Sequence, residues 1–468
     1  MKVLLALHGF PPELIGGTES AVQSLARGLR DRGHQVVVVA GSMDHGPEFR
    51  RSADASSEDG IRVIRLHRSD LYFDHWQKSY SARASAAFAE VLAEERPDLV
   101  HVHHWIRLSR DLVATAARAG IPAAVTLHDY WASCLVTFRV RPDTKEPCDV
   151  PLGPMPCLAC AAHLPPRTPW VSMESQMLAL HQHRGDLARE LSLARAVLAP
   201  TRAHAEAAAG FLGVDAGSLE IYPVPNGRDL PLERRARSPE AADAERGDGR
   251  LVLAAWGNLL PLKGFDVILR ALAALPDPSR VALHLAGGEV LEDHTRELRA
   301  LADGLDVTFH GAYQVPDLAT HPVAGADLMV SGTRARESWG LVVDEACALG
   351  MPMVLPRAGA FPERLKEGEG VLFYPQSDER ALAAVLQGLL DNPERLGALR
   401  TSLPELDALA PSQADHVERV LAVYGRVLAA GAPEVAAQDW WEARLRQAEE
   451  EQWDLALSQA TPEELGFA

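Results

Sequence analysis

Two glutamates and a lysine in the second half of the chain have the surroundings of a ligand site. Glu337 and Glu345 are separated by seven residues, and residues 341–349 are predicted to form a helix. Over a full helix this separation sets the carboxylates about 12 Å apart, which suits two ends of one long ligand. Lys263 lies in a loop, residues 257–264, after a predicted strand, where a lysine could bind a diphosphate. A helix-start glutamate favoured by the dipole and a solvated surface lysine are the alternatives.

In the first half of the chain, a glycine loop and a histidine also follow predicted strands. The loop Gly16-Gly17-Thr18-Glu19 falls between a predicted strand and a predicted helix, where free N–H groups could hold a phosphate. His128 ends the predicted strand 123–127 and could bond a sugar hydroxyl. An ordinary turn and a structural histidine paired to Asp129 are the alternatives. We assign no role to the histidines of the preceding strand, His101, His103 and His104.

Four of the five cysteines fall within 27 residues, at Cys134, Cys148, Cys157 and Cys160. In a reducing compartment such a cluster favours a structural zinc over disulfides. Either His163 or His128 could replace one thiolate. Unliganded buried cysteines and an iron–sulfur cluster remain alternatives.

The elements that position these residues alternate between strands and helices. Continuous apolar runs, typical of strands buried on both faces, predict the first series of strands at residues 3–7, 36–40, 99–103, 123–127 and 197–200. A second series is predicted at residues 251–255, 281–286, 307–309, 328–331, 353–355 and 370–373. Helical patterns, such as residues 18–32, lie between the strands. The pattern indicates an α/β protein with two doubly wound Rossmann-like domains.

The domain boundaries follow from where this alternation stops. We predict an N-terminal domain over residues 1–230, with a cysteine-rich insertion at 130–165, and a linker at 231–250. A second domain is predicted over residues 251–411. Residues 412–468 are predicted to form a crossing helix, at 414–428, and an acidic helical tail that packs back on the first domain. Binding of a partner or self-association through the tail is the alternative.

Composition excludes several classes of function. The 468 residues carry a net charge of −18, which argues against nucleic acid or anionic lipid as the main partner. No apolar run approaches the roughly 20 residues of a membrane span, and the apolar start is too short for a signal peptide. A cytoplasmic protein is therefore expected. Only five of the 46 basic residues are lysines, a bias that indicates a GC-rich bacterial genome.

Taken together, these motifs resemble the retaining, nucleotide-sugar-dependent glycosyltransferases of family 4. The resemblance covers residues 1 to about 430, and it rests on the glycine loop, Thr126-Leu127-His128-Asp129, Pro225-Asn226-Gly227, Lys263-Gly264 and residues 337–352. It implies a GT-B fold, in which two Rossmann-like domains face a cleft. It also implies transfer of a sugar from a nucleotide-diphosphate donor to a hydroxyl acceptor, on the face that the leaving group departs from. No catalytic metal is implied.

The resemblance gives each matching residue a role. Around the leaving diphosphate it places the backbone of Gly16 and Gly17 and the side chain of Lys263. Glu345 would hold the ribose hydroxyls. A catalytic pair, His128 and Glu337, would contact the donor sugar. The sugar ring would be lined by the backbone of Trp339, Gly340 and Leu341.

Two positions depart from the family pattern. Asn258, in the donor-binding loop, stands where the family usually has a diphosphate-binding arginine, for which Arg202, Arg334 or Arg336 could compensate. Ala360 replaces a common glycine near the phosphate loop. The alternative functions are a nucleotide-sugar epimerase and a non-catalytic GT-B partner subunit.

Overall fold

The computed structural model describes residues 1–44, 48–55, 60–68, 80–161, 163, 173–224, 250–313 and 317–435. These residues form two compact units. The first comprises the described parts of Met1–Thr137, Asp149–Gly227 and Gln413–Ala468, and the second those of Phe138–Cys148 and Arg228–Ser412. The motif Pro225-Asn226-Gly227, most of the linker and the acidic tail lie outside the described residues. Among the described residues, no helix is long and apolar enough to cross a membrane.

The first unit contains an eight-stranded sheet in the order β3-β4-β2-β1-β5-β6-β7-β8. Its strands are β1 Lys2–Leu7, β2 Gln35–Gly41, β3 Arg50–Ala55, β4 Arg62–His67, β5 Leu99–Val102, β6 Ala123–Thr126, β7 Ala196–Ala199 and β8 Ile221–Pro223. All neighbouring strands are parallel except β3 and β4, which are antiparallel. Leu4 and Leu5 of β1 pack into separate apolar clusters because successive side chains point to opposite faces. The sheet is therefore covered on both sides.

Seven helices are described in the first unit: α1 Gly17–Asp31, α2 Ala82–Glu95, α3 Leu112–Arg118, α4 Pro154–Ala161, α5 Met173–Leu193, α6 Arg202–Leu212 and, from the end of the chain, α14 Gln413–Ala430. The last of these packs against α1, where Gly28 leaves room for Val417 and the Arg32 Nε atom lies 2.6 Å from Glu418 Oε1. Tyr424, fully buried, reaches from α14 to His101 on β5.

The second unit contains a six-stranded parallel sheet in the order β11-β10-β9-β12-β13-β14. Its strands are β9 Leu251–Trp256, β10 Val281–Ala286, β11 Asp306–Phe309, β12 Leu328–Val330, β13 Met353–Pro356 and β14 Val371–Tyr374. Its helices are α7 Phe265–Ala273, α8 Glu292–Leu301, α9 Leu341–Ala348, α10 Phe361–Arg364, α11 Glu379–Asp391, α12 Pro393–Thr401 and α13 Leu406–Leu409. Two apolar clusters, one on each face, enclose this sheet.

The predicted α/β class with two doubly wound parallel sheets is confirmed, whereas three strands of the first sheet were not predicted. These are β3, β4 and β8. The sequence of β3, RRSADA, lacks an apolar run because β3 is an edge strand. Part of the predicted cysteine-rich insertion, Phe138–Cys148, groups with the second unit, where Lys145 Nζ lies 3.2 Å from Glu297 Oε2.

Candidate functional site

The loop after β9 places Lys263 beside the end of β12. Lys263 closes a short 3-10 turn, Pro261–Lys263, and Gly264 follows it with a positive φ of 63°. A Cβ atom on Gly264 would overlap the carbonyl oxygen of Gly332, and one on Gly332 would overlap the carbonyl oxygen of Gly264. The two loops therefore pack backbone against backbone, which only glycine allows. This close approach brings the lysine to the segment that carries Glu337.

Lys263 and Glu337 form an ion pair at the wall of a pocket. Their Nζ and Oε1 atoms lie 2.8 Å apart, and the side chains are 33% and 19% exposed. The Thr333 hydroxyl donates to the same oxygen at 3.3 Å. Both residues line a pocket of about 420 Å³ together with Trp256, Gly332 and other residues of the second unit. The pocket thus presents one cation and one carboxylate in contact.

The backbone of Glu337 is fixed by the loop after β13. The Ala360 N–H donates to the Glu337 carbonyl at 2.9 Å. Gly359 has a φ of 58°, and a Cβ atom there would crowd the backbone of Glu337. Ala360, the residue that departs from the family pattern, is fully buried in this loop.

Glu345 lies on the buried face of α9, with only 5% of its surface exposed. The indole Nε1 of Trp256, the last residue of β9, donates to its Oε2 atom at 2.5 Å. Burial raises the pKa of Glu345, and Asp344 adds to this effect, although the indole N–H opposes it. Burial and the Glu345 carboxylate also raise the pKa of Tyr313, whose phenol is therefore near this acid. A buried carboxylate of this kind suits hydroxyl donors such as those of a ribose.

The segment before α9 is rigid. Gly340 caps the helix with a φ of 81°, and Leu341, half-exposed, begins it. The Trp339 indole donates to Asp344 Oδ2 at 2.7 Å, and the Arg364 guanidinium lies 3.5 Å from the centre of the indole ring. Arg364 also pairs with Asp344 and donates to the Trp339 carbonyl. These contacts hold the backbone of the segment predicted to line a sugar.

In the first unit, Gly17 begins α1 and Gly16 is its N-cap residue. The Glu19 carboxylate lies at this helix start, buried, and its Oε1 atom is 2.7 Å from His8 Nε2. Although burial raises the pKa of Glu19, the contact with His8 outweighs it and the net shift is downward. The helix start therefore already has a carboxylate beside it. Whether a phosphate binds at Gly16 and Gly17 stays a prediction.

His128 stands two residues after β6, half-buried, beside the end of β5. Its Nε2 atom lies 2.9 Å from His103 Nδ1. Burial lowers the pKa of His128 to about 3, against the opposing effect of Asp129, so the imidazole is neutral at physiological pH. Burial raises the pKa of Asp129, but its contacts with His104 and the Trp131 N–H lower it to about 2 overall.

Two histidines to which we had assigned no role, His101 and His103, lie near His128. His103 contacts it directly, and His101 bonds Thr126 Oγ1 and Tyr424 OH, both at 2.7 Å. The sequence signal was the recurrence of histidine at positions 101, 103 and 104, next to the strand that ends at His128. Trp256, which bonds Glu345, was also missed, and no spacing pattern marks it.

Comparison with known proteins gives two matching family profiles. The one described as Glycosyltransferase Family 4 matches residues 15–231, and the one described as Glycosyl transferases group 1 matches residues 250–392. A D-inositol 3-phosphate glycosyltransferase from Catenulispora acidiphila is 30% identical over 349 residues, which are 71% of this chain and 73% of that protein. The chain belongs to glycosyltransferase family 4. The predicted resemblance and the predicted transferase activity are thereby confirmed.

Solved structures of other proteins share the fold of this family 4 glycosyltransferase. A sucrose-phosphate synthase from Thermosynechococcus elongatus superimposes with a TM-score of 0.62 at 19% identity, covering 92% of this chain and 100% of that one. The Anabaena protein HepE, solved in complex with UDP, superimposes with a TM-score of 0.60 at 18% identity, covering 91% of this chain and 100% of that one. At these identities the likeness shows the fold alone, and it confirms the predicted GT-B class.

This glycosyltransferase has an exposed asparagine, Asn258, in the turn where its family usually has an arginine. Whether Arg202, Arg334 or Arg336 compensates stays a prediction, and the structure gives Arg334 an acidic partner. Its guanidinium donates twice to Asp266, at 2.7 and 2.8 Å, and also to the Pro261 carbonyl, so its charge is committed to holding the loop. Arg202 begins α6 in the first unit and lies 3.6 Å from Glu206. Among the described residues that line the pocket, Lys263 is the basic one.

The cysteine cluster of the glycosyltransferase does not come together as a ligand set. Cys134 is buried, Cys148, Cys157 and Cys160 are half-buried, and none of the four forms a disulfide within the described part of the chain. Among the described residues, no three His, Cys, Asp or Glu side chains are arranged to hold a metal ion. The described residues therefore show no preformed zinc site. Structural zinc stays a prediction from the sequence.

Proposed function

We propose that the protein transfers a hexose from a nucleoside-diphosphate sugar to an acceptor hydroxyl, with retention of the anomeric configuration. The observation that carries the proposal is the contact of Lys263 with Glu337 at 2.8 Å in the pocket beneath β9 and β12. A donor of this type has an anionic diphosphate joined directly to a polyhydroxylated ring. The Lys263 ammonium matches the anionic diphosphate, and the adjacent Glu337 carboxylate matches the hydroxyls of the ring.

Each side chain of the pocket has a separate task in this proposal. The Lys263 ammonium meets the diphosphate oxygens, where negative charge develops as the glycosidic bond breaks. The Glu337 carboxylate, oriented by Lys263 and Thr333, accepts hydroxyl protons of the sugar. Glu345, held by Trp256, accepts the ribose hydroxyls. The bound diphosphate shares the lysine with Glu337 and does not displace it.

Retention follows if the acceptor attacks on the face that the diphosphate leaves. The bond between the anomeric carbon and the phosphate oxygen breaks, and a bond from that carbon to the acceptor oxygen forms. The proton of the acceptor hydroxyl passes to the departing phosphate oxygen. No side chain is then required as a general base, in keeping with the ion-paired state of Glu337.

The donor and acceptor are best sought among the substrates named for relatives. Named relatives include D-inositol 3-phosphate glycosyltransferases and, from Mycolicibacterium smegmatis, a GDP-mannose-dependent mannosyltransferase. We would screen UDP-, GDP- and ADP-sugars by thermal shift, because a ligand at 100 times its Kd stabilises the protein by about 2.7 kcal/mol. D-inositol 3-phosphate would be the first acceptor in assays of nucleotide release, with the product anomer assigned by NMR.

The same assays separate the proposal from its alternatives. A transferase releases nucleoside diphosphate in proportion to added acceptor. An epimerase would convert the donor without acceptor, and a non-catalytic subunit would bind donor without converting it. None of the relatives and structures named above is an epimerase. An inverted product anomer would contradict the retaining mechanism while leaving the transferase activity intact.

A further inference from the structure

The loop segment 331–335, between β12 and Glu337, carries a hydroxyl that contacts the Glu337 carboxylate. This hydroxyl belongs to Thr333, of which only 2% of the surface is exposed. Its oxygen accepts the Ala335 N–H at 3.2 Å. The same hydroxyl lies 3.3 Å from two acceptors, Glu337 Oε1 and the Leu262 carbonyl. The acceptor that receives its proton decides whether the loop segment supports Glu337.

The Leu262 carbonyl already has two hydrogen-bond donors. It accepts the Arg334 N–H at 2.8 Å and the Ala335 N–H at 3.3 Å, and a carbonyl oxygen has two lone pairs. The Glu337 carboxylate is ion-paired, and a hydrogen bond to an ionised acceptor is stronger than one to a neutral carbonyl. The Thr333 hydroxyl therefore donates to Glu337.

The backbone of the loop segment is held by Gln376, which lies two residues after β14. Its Nε2 atom is 3.0 Å from the Arg334 carbonyl, 3.4 Å from the Thr333 carbonyl and 3.3 Å from the Ala335 carbonyl. Because three acceptors surround this end of the carboxamide, it must be the nitrogen, since the amide oxygen cannot donate. The two N–H groups of Gln376 thus bind three successive residues of the loop segment.

These contacts connect Gln376 to the ion pair in steps. The carboxamide fixes the carbonyls of the loop segment, whose Ala335 N–H then orients the Thr333 hydroxyl. The hydroxyl holds Glu337 Oε1, which lies 2.8 Å from Lys263 Nζ. We propose that Gln376 is a positioning residue that keeps the Thr333 hydroxyl on Glu337, and thereby keeps Glu337 in place for the donor sugar. The role of Glu337 at the sugar rests on the proposed function, whereas the link from Gln376 to Thr333 is a property of the free protein.

Substitutions at positions 376 and 333 separate hydrogen bonding from packing. Gln376→Met keeps the length of the side chain without its donors, and Gln376→Glu keeps its shape with acceptors alone at neutral pH. Thr333→Val removes the hydroxyl at nearly constant volume, whereas Thr333→Ser retains it. The matched control is Gln387→Met, since Gln387 lies on α11 of the same unit and its amide donates to the exposed Asp391.

The first measurement is the NMR signal of the Thr333 methyl group in protein without ligand, assigned by its loss in Thr333→Ser. We expect this signal to shift in Gln376→Met and in Gln376→Glu, because the loop segment loses its anchor, and to stay in place in Gln387→Met. A signal that is unchanged in the Gln376 variants overturns the proposal, whether or not the protein transfers a sugar. If one Gln376 variant fails to fold, the other decides the point.

The second measurement is turnover, followed as nucleoside diphosphate release. We expect Gln376→Met and Thr333→Val each to lower kcat about tenfold, and Thr333→Ser to stay within about threefold of the wild type. Nucleoside diphosphate affinity should be unchanged in all of them, and Gln387→Met should stay within about twofold in kcat. The double variant of Gln376→Met and Thr333→Val should also lose about tenfold, because both changes break the same link.

The double variant distinguishes positioning from a general loss of packing. A loss of about a hundredfold would show two independent effects and overturn the proposal. A wild type that turns over no nucleotide sugar refutes the proposed function, whereas the NMR result stands or falls separately.

Discussion

Replacing Lys263 with alanine is the sharpest test of the donor site. The substitution removes the cation that lies 2.8 Å from Glu337 and leaves the glycine-packed loop around Gly264 intact. It therefore removes charge without removing the scaffold. It also leaves the Glu337 carboxylate without its cation, beside the proposed place of the diphosphate. Both effects act most strongly when the leaving group acquires its full charge.

The size of the effect follows from the exposure of the lysine. Two unit charges 4 Å apart attract each other by about 4 kcal/mol at an effective dielectric constant of 20. The Lys263 side chain is one third exposed, so solvent screening reduces the net contribution to about 2–3 kcal/mol. At 1.4 kcal/mol per factor of ten, kcat/KM should fall by about 30- to 150-fold. Most of the loss should appear in kcat, because the charge develops in the transition state.

The assay is steady-state release of nucleoside diphosphate, with circular dichroism to show that the variant is folded. Lys366→Ala is the matched control, since Lys366 is an exposed lysine of the same unit that pairs with the nearby Glu369. It should stay within about twofold of the wild type. A Lys263→Ala variant with activity within threefold of the wild type would refute the reasoning. A loss confined to KM would mean that the lysine binds the ground state alone.

Other predictions test the remaining parts of the molecule. Glu337→Gln should lower kcat about tenfold or more. Glu345→Gln should chiefly raise the donor KM, because ribose contacts are alike in ground and transition states. Steady-state kinetics with varied donor would show the reverse pattern if the two ends of the donor are exchanged. Burial lowers the pKa of His101 from 6.5 to about 3, so the folded state resists its protonation. Above pH 6.5 this has no effect on the free energy of unfolding. As the pH falls from 6.5 toward 3, the free energy of unfolding decreases by up to about 1.4 kcal/mol per pH unit. Thermal unfolding between pH 7.5 and 5 should therefore depend less on pH in His101→Gln than in the wild type or in the exposed control His181→Gln. Metal analysis of protein purified without chelator should give about one zinc per chain, abolished in Cys157→Ser, if the prediction from the cysteine cluster holds; metal-free, fully active protein would contradict it.

The sequence revealed most of the second unit because its strands are buried on both faces. The run of β9, LVLAAW, is continuously apolar, and glycines in the loops interrupt such runs. Helix α9 was predicted within one residue of its observed end. Strand β3 was missed because an edge strand needs no apolar run. A continuous apolar run indicates a strand buried on both faces, and the exposed edge strand β3 has no such run.

Only part of the site could be predicted from the sequence, for a related reason. Lys263 lies in the loop after a predicted strand and Glu345 lies on a predicted helix, so the predicted elements locate both. Their partners are distant in sequence: Glu337 is 74 residues from Lys263, and Trp256 is 89 residues from Glu345. Arg334 lies in a loop, and its partner Asp266 is 68 residues away on α7. Pairing across a sheet follows from tertiary structure, which spacing along one chain does not encode.

The precision of the donor pocket comes from backbone contacts more than from side-chain packing. Gly264 packs on Gly332, Gly287 packs on Gly257, and Gly359 packs on the backbone of Glu337. At each contact a Cβ atom would push two loops apart, so the lysine and the glutamate are set by main-chain geometry. A side chain at such a point moves the ion pair even though it touches neither charge. The lysine and glutamate supply the chemistry of the site, and the glycines between the loops determine whether the two charges meet.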